Sequence, residues 1–200
     1  MIKYSVQTDI EAALRKLSSI AEAQQFRFAT AKALTQTAVD VQKEVRKNMP
    51  SRFIIRRQWV INGIMIERAT KANLEASVYS RDKFMGLQEF GGQKGPLRNY
   101  LAIPTSMVRR TKTDIIAKSD RPGALGDKVS IIDFNGHKWL ALKKPRKGAN
   151  GAKLRLLYLL IPRAQIKKRL GLELDGMRVA KANFATNLQS ALEQAMRTAR

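Results

Sequence analysis

The chain has 200 residues, 44% of them hydrophobic, and 38 Lys and Arg against 16 Asp and Glu give it a formal net charge of +22. That length suits one globular domain better than two, and the hydrophobic share excludes wholesale disorder. The absence of cysteine excludes disulfide and thiolate chemistry, and no run approaches the roughly 20 apolar residues of a membrane span; the longest, Leu154 to Ile161, is interrupted by Arg155.

Positions Ile10, Ala13, Leu14, Leu17, Ile20 and Ala21 recur at helical spacing, with Thr8 or Asp9 as a cap. A second helix is expected from Phe26 to Lys47. Its apolar stripe is Phe26, Ala29, Leu34, Ala38, Val41 and Val45, its polar face carries Lys32, Gln36, Asp40, Lys43 and Lys47, and Pro50 closes the segment. The pattern then becomes strand-like. Trp59 to Ile61 and Ile64 to Ile66 flank an Asn62-Gly63 turn or bulge, and Leu74, Ala76 and Val78 alternate with polar neighbours. Further strands are expected at Leu101 to Ile103, Val129 to Phe134, Trp139 to Leu142 and Leu154 to Ile161, with Asn135-Gly136 as a hairpin turn. Residues 109–128 and 143–153 read as loops, and a closing helix from Val179 carries Phe184, Leu188, Ala191, Leu192, Ala195 and Ala199 on one face.

The expected fold is therefore α+β: two N-terminal helices, a central antiparallel or mixed sheet with long loops, and a C-terminal helix. The single domain 1–200 divides into a helical part over 1–50, a strand-rich core over 51–162 and a helical part over 163–200.

Residues able to do chemistry are sparse. His137 is the only histidine and follows the hairpin turn, where a surface role is expected. Gly86, Gly91, Gly92 and Gly95 form no phosphate loop, since no Gly-Lys-Ser/Thr follows. The carboxylates Glu67, Glu75, Asp82, Glu89, Asp114, Asp127 and Asp133 lack the tight spacing of a metal-dependent nuclease. No catalytic residue, cofactor or metal site is expected; a nuclease whose acids meet only in space stays as a lesser alternative.

The basic residues say more. Between Asp133 and Glu173 there is no acid, while Lys138, Lys143, Lys144, Arg146, Lys147, Lys153, Arg155, Arg163, Lys167, Lys168 and Arg169 supply eleven positive charges. Such a one-sign field is costly unless something negative meets it. Lys138, Lys143, Lys144, Arg146, Lys147, Lys153, Lys167, Lys168 and Arg169 are the expected contacts to duplex DNA phosphates or an acidic protein. Aromatic residues are not interleaved with them, which disfavours single-strand stacking.

The stretch Lys83-Phe84-Met85-Gly86-Leu87-Gln88-Glu89-Phe90-Gly91-Gly92, followed by Leu101-Ala102-Ile103-Pro104, resembles a pattern in the tail-completion proteins of long-tailed bacteriophages. So does the preceding helix with Ala33-Leu34 and Thr37-Ala38-Val39 before Pro50, and in layout the chain is similar to the minor tail protein Z group. It departs after Pro50, where Arg52-Phe53-Ile54-Ile55-Arg56-Arg57 stands in place of Arg-Thr-Gly-x-Leu. The resemblance implies a virion protein at the head-proximal end of a tail, made in the host cytoplasm. It would form a hexameric ring around the DNA path, between tail-terminator or tube proteins and the head connector, with no membrane partner. Glu89, Phe90, Gly91 and Gly92 are then expected to make a subunit contact or a structural turn, Phe90 anchoring a strand end in the core and the glycines allowing positive φ. A stand-alone, sequence-independent duplex-binding or packaging protein is the alternative.

Overall fold

The computed structural model describes residues 2–7, 20–96, 99–142 and 155–198. The fold is α+β, and every strand pairing is antiparallel. Where the sequence suggests one domain, the chain divides into two compact units, one made of Met1–Gly91 with Lys167–Arg200 and the other of Gly92–Ile166.

The first unit is built on two long helices. Helix α1 spans Ile20–Arg52, and the C-terminal helix, α5, spans Leu172–Thr198. They run antiparallel, because Ala29 and Ala33 near the start of α1 cluster with Ala191 and Ala195 near the end of α5, while Arg52 meets Asp175. Alanine on both sides lets the backbones approach closely at that end. Farther along, Leu34, Ala38, Val41, Val45 and Met49 turn to the core with Leu172 and Val179, confirming the α1 stripe read from the sequence. A Cβ at Gly176, inside α5, would make an ordinary contact with Val41 at 3.7 Å, so the packing does not require glycine there.

A three-stranded sheet, order β1-β3-β2, covers the other side of α1. Strand β1 is Ile2–Gln7, β2 is Ile64–Glu67 and β3 is Glu75–Ser80. Ile2, Ile64, Ala76 and Val78 face the helices from it. Burying these side chains is worth roughly 1.5–3 kcal/mol for each large aliphatic group. Strand β1 falls in the part expected to be helical, 1–50, ahead of the first helix expected from Ile10. The first expected helix lies outside the described residues except for Ile20 and Ala21, which open α1.

Three further differences have local causes. The helix α1 passes Pro50 and ends at Arg52, since proline removes one donor while the next bond, from Phe53 N to Met49 O at 2.9 Å, is still made. Trp59 to Ile61 is not a strand: Trp59–Asn62 forms the short helix α2, closed by Gly63 N donating to Trp59 O at 2.9 Å. A Cβ at Gly63 would meet the Asp82 carboxylate, which would have to shift to admit it. Lastly, Met85–Phe90 is a six-residue helix, α3, so Phe90 ends a helix and not a strand.

The second unit carries β4 (Gly92–Lys94) paired with β9 (Ala164–Ile166), and a four-stranded sheet of order β5-β8-β7-β6. Its strands are β5 (Leu101–Pro104), β6 (Val129–Phe134), β7 (His137–Leu142) and β8 (Leu156–Ile161), all at expected positions. Asn135 at φ 51° and Gly136 at φ 74° form the expected tight turn between β6 and β7. Val108, Leu125, Leu157 and Tyr158 make the core of this unit. The stretch 109–128 is less loop-like than its composition suggests. An Arg110 to Ile116 bridge, two single 3-10 turns and the short helix α4 (Pro122–Leu125) hold it, and Tyr158 Oη donates to Asp120 O at 2.6 Å.

Candidate functional site

The segment that carries the family-like pattern organises one end of the first unit. Gln88 O accepts from Arg169 N at 2.7 Å and from Leu170 N at 2.9 Å. Glu89, 8% exposed, accepts from Leu172 N at 2.9 Å with Oε2 and from Glu173 N at 3.0 Å with Oε1. Helix α5 has no acceptor of its own just before Leu172 (Gly171 precedes it), so a carboxylate from α3 takes two of its free first-turn N–H groups and opposes the helix dipole with negative charge. Both Glu89 oxygens are thus used within the chain. Gly91 at φ 73° and Gly92 at φ 126° then turn the backbone away, as the sequence suggests. Phe90 is a correction: it is 58% exposed and anchors no core.

Beneath this junction lies a largely buried ionic cluster. Arg52 Nη1 donates to Asp175 Oδ2 at 2.7 Å and Nη2 to Oδ1 at 3.0 Å, and Nη1 also reaches Leu170 O. Asn48 Nδ2 adds a bond to Asp175 Oδ2 at 3.0 Å. Burial alone would raise the Asp175 pKa, but hydrogen bonds from Arg52 and Asn48 outweigh it and hold the carboxyl below its ordinary value. Gly171, at φ 66°, passes so close to Arg52 that a Cβ would sit 2.9 Å from Nη1.

Over the cluster opens a groove of about 520 Å³. Its lining combines Arg52, Lys168 and Arg169 with Glu89 and Glu173 and with the apolar side chains Phe90, Leu174 and Met177. Leu174 is 71% and Met177 54% exposed, three residues apart on one face of α5. Tyr4 borders an adjoining pocket shared through Glu173 and Met177. Its hydroxyl donates to Glu173 Oε2 at 3.1 Å, and burial together with this contact pushes the phenol up to about 12. Each carboxylate of the groove therefore already accepts a hydrogen bond, whereas Lys168 and Arg169 are exposed with no ion-pair partner among the described residues.

The expected basic contacts are distributed unevenly. Lys167, Lys168 and Arg169 are exposed together in the first unit. Lys138 belongs to the second and pairs with Asp133 at 3.2 Å, so its charge is locally compensated. Lys143, Lys144, Arg146, Lys147 and Lys153 lie outside the described residues. His137 is exposed on β7, and no group of three or more His, Asp or Glu able to hold a metal occurs among the described residues. No described helix is long and apolar enough to cross a membrane.

Sequence reasoning missed Leu174, Met177, Tyr4 and Arg52. A signal existed for the first two: they are large apolar residues on the face of α5 opposite buried Leu172 and Val179, where a lone helix should be polar. No family model, no curated protein and no solved structure matches the chain.

Proposed function

We propose that this chain is a structural joining protein of a bacteriophage virion, completing the head-proximal end of a tail as a homo-oligomeric, hexameric ring around the DNA path. The observation that carries the reading is the ordered pattern Lys83 to Gly92 followed by Leu101 to Pro104, set in a chain of net charge +22. The role of Gln88 and Glu89 gives that pattern a physical reason: they fix the start of the C-terminal helix, so the motif is needed for the fold that presents the surface.

In this role chemistry is not required. Neighbouring tail and connector proteins supply surfaces to join, and Lys and Arg facing the DNA path neutralise phosphates without reading bases, so passage or retention of a genome needs no sequence specificity. The same charge favours a second reading, a stand-alone duplex-binding or packaging protein.

The two are separated by complementation. Purified protein is added to an extract that holds DNA-filled heads and separate tails from a phage lacking this gene, and infectious particles are counted. Restored joining is the expected result; folded protein that does not rescue, yet binds duplex with a log affinity falling steeply against log salt, establishes the second reading. Charge reversal at Lys143, Lys144, Arg146 and Lys147 is expected to impair assembly or DNA binding, and no effect on either removes that stretch from the interface.

A further inference from the structure

The groove at the start of α5 presents a combination that neither phosphate binding nor core packing explains. Phe90, Leu174 and Met177 are 58%, 71% and 54% exposed around one opening. Large apolar side chains gathered in a concave surface mark an interaction site more often than a chance exposure. Beside them, Lys168 and Arg169 are exposed and unpaired among the described residues, while Glu89 and Glu173 accept hydrogen bonds from Leu172 N, Glu173 N and Tyr4 Oη. The charged groups at this opening with no hydrogen-bond or ion-pair partner among the described residues are thus the cations Lys168 and Arg169, and the uncovered surface beside them is apolar.

We infer that this groove docks an acidic segment of a partner protein, seating apolar side chains against Phe90, Leu174 and Met177 and carboxylates against Lys168 and Arg169. Complementarity selects this occupant over its competitors. Duplex DNA offers phosphates but no apolar side chains to cover Leu174 and Met177. A second copy, as in the proposed ring, would have to present acids to Lys168 and Arg169 from a chain with 16 Asp and Glu against 38 Lys and Arg. A segment with alternating acidic and apolar faces satisfies both halves of the lining, the apolar part giving affinity and the charge pair orientation and encounter rate. The inference rests on the proposed joining role only for the negative sign of the partner, since Lys168 and Arg169 belong to the basic stretch assigned there to DNA or an acidic protein.

The probe is a fluorescein-labelled amphipathic peptide of about 15 residues, with Leu and Phe on one helical face and Glu and Asp on the other. Its binding to the full chain is followed by fluorescence anisotropy at physiological salt, with unlabelled duplex DNA as competitor and sedimentation velocity as a check on self-association. Saturable binding is expected, weakened about tenfold or more by Leu174→Ser with Met177→Ser and by Lys168→Glu with Arg169→Glu. A peptide with its Leu and Phe changed to Ser should bind as weakly as those variants. Because all four side chains are exposed, circular dichroism should show unchanged folding.

Four results overturn the proposal: no saturable binding by folded protein; binding that the Leu174 and Met177 changes leave intact; displacement by duplex DNA with loss confined to the Lys168 and Arg169 changes, which makes the surface a nucleic-acid contact; or self-association abolished by the serine changes, which makes the occupant a second copy. Failure of peptide binding alongside successful complementation would remove this groove and leave the joining role standing. Binding without complementation would do the reverse.

Discussion

Replacing Glu89 by Ala tests the central structural claim, that one carboxylate from α3 secures the start of α5. The change removes acceptors from Leu172 N, on a residue with no exposure, and from Glu173 N, on an exposed residue. A hydrogen bond to a charged group is worth about 1.5–3 kcal/mol, and an N–H left buried forfeits most of that. The Glu173 N–H regains water and contributes less, while loss of the favourable dipole contact adds about 0.3–1 kcal/mol. The sum is about 3 kcal/mol, a roughly hundredfold fall in the folded to unfolded ratio. Urea unfolding would measure it in a Trp139→Phe background, where Trp59 is the only remaining tryptophan and reports on the first unit. Glu89→Gln keeps one acceptor and should lose about half as much. A loss below about 0.5 kcal/mol for Glu89→Ala, the range of an ordinary surface substitution, would refute the reasoning.

Three further outcomes are expected. Arg52→Met leaves the Asp175 carboxylate, 4% exposed, with Asn48 and the more distant Arg178 at 3.7 Å as partners and should cost about 3 kcal/mol in urea unfolding; Arg178→Ala, which breaks pairs with Glu44 and Asp175 at a 59% exposed arginine, should cost much less. Gly171→Ala forces a side chain into φ 66° and against Arg52, and should lower stability by about 1–2 kcal/mol, read as a drop in Tm. In the second unit, the Arg109 guanidinium and Ser119 hold Asp120 down to about 2 from its ordinary 3.8. A depressed folded pKa gives stability that is present above the unfolded value and lost as pH falls through the folded one, so acid should weaken this unit between about pH 4 and pH 2. Arg109→Gln should flatten that limb when Trp139 fluorescence is followed in a Trp59→Phe background, and an unchanged limb would dissociate Asp120 from acid stability.

The fold class is legible in the residue order because its signals are local and periodic. The buried stripe of α1 and the apolar face of α5 are arithmetic on a 3.6-residue turn. Asn135-Gly136 places the β6 and β7 hairpin because few other pairs accept positive φ at two successive positions. The basic stretch before Glu173 was equally legible as a count of charges, though not as a surface.

Other features depend on partners far away along the chain. Strand β1 has an alternating pattern, Ile2, Tyr4 and Val6 against Lys3, Ser5 and Gln7, but its six residues gain a place in a sheet only because β3, about 70 residues on, offers an antiparallel edge. Helix α5 begins at Leu172 instead of Val179 because its first-turn donors are taken by Glu89, 83 residues earlier, which no window centred on the helix contains. The candidate groove follows from the same contact: fixing Leu172 against Glu89 turns Leu174 and Met177 outward beside Lys168, Arg169 and Phe90. A helical stripe can be read residue by residue, but a surface assembled from three separated segments comes into being only when long-range hydrogen bonds and burial bring those segments together.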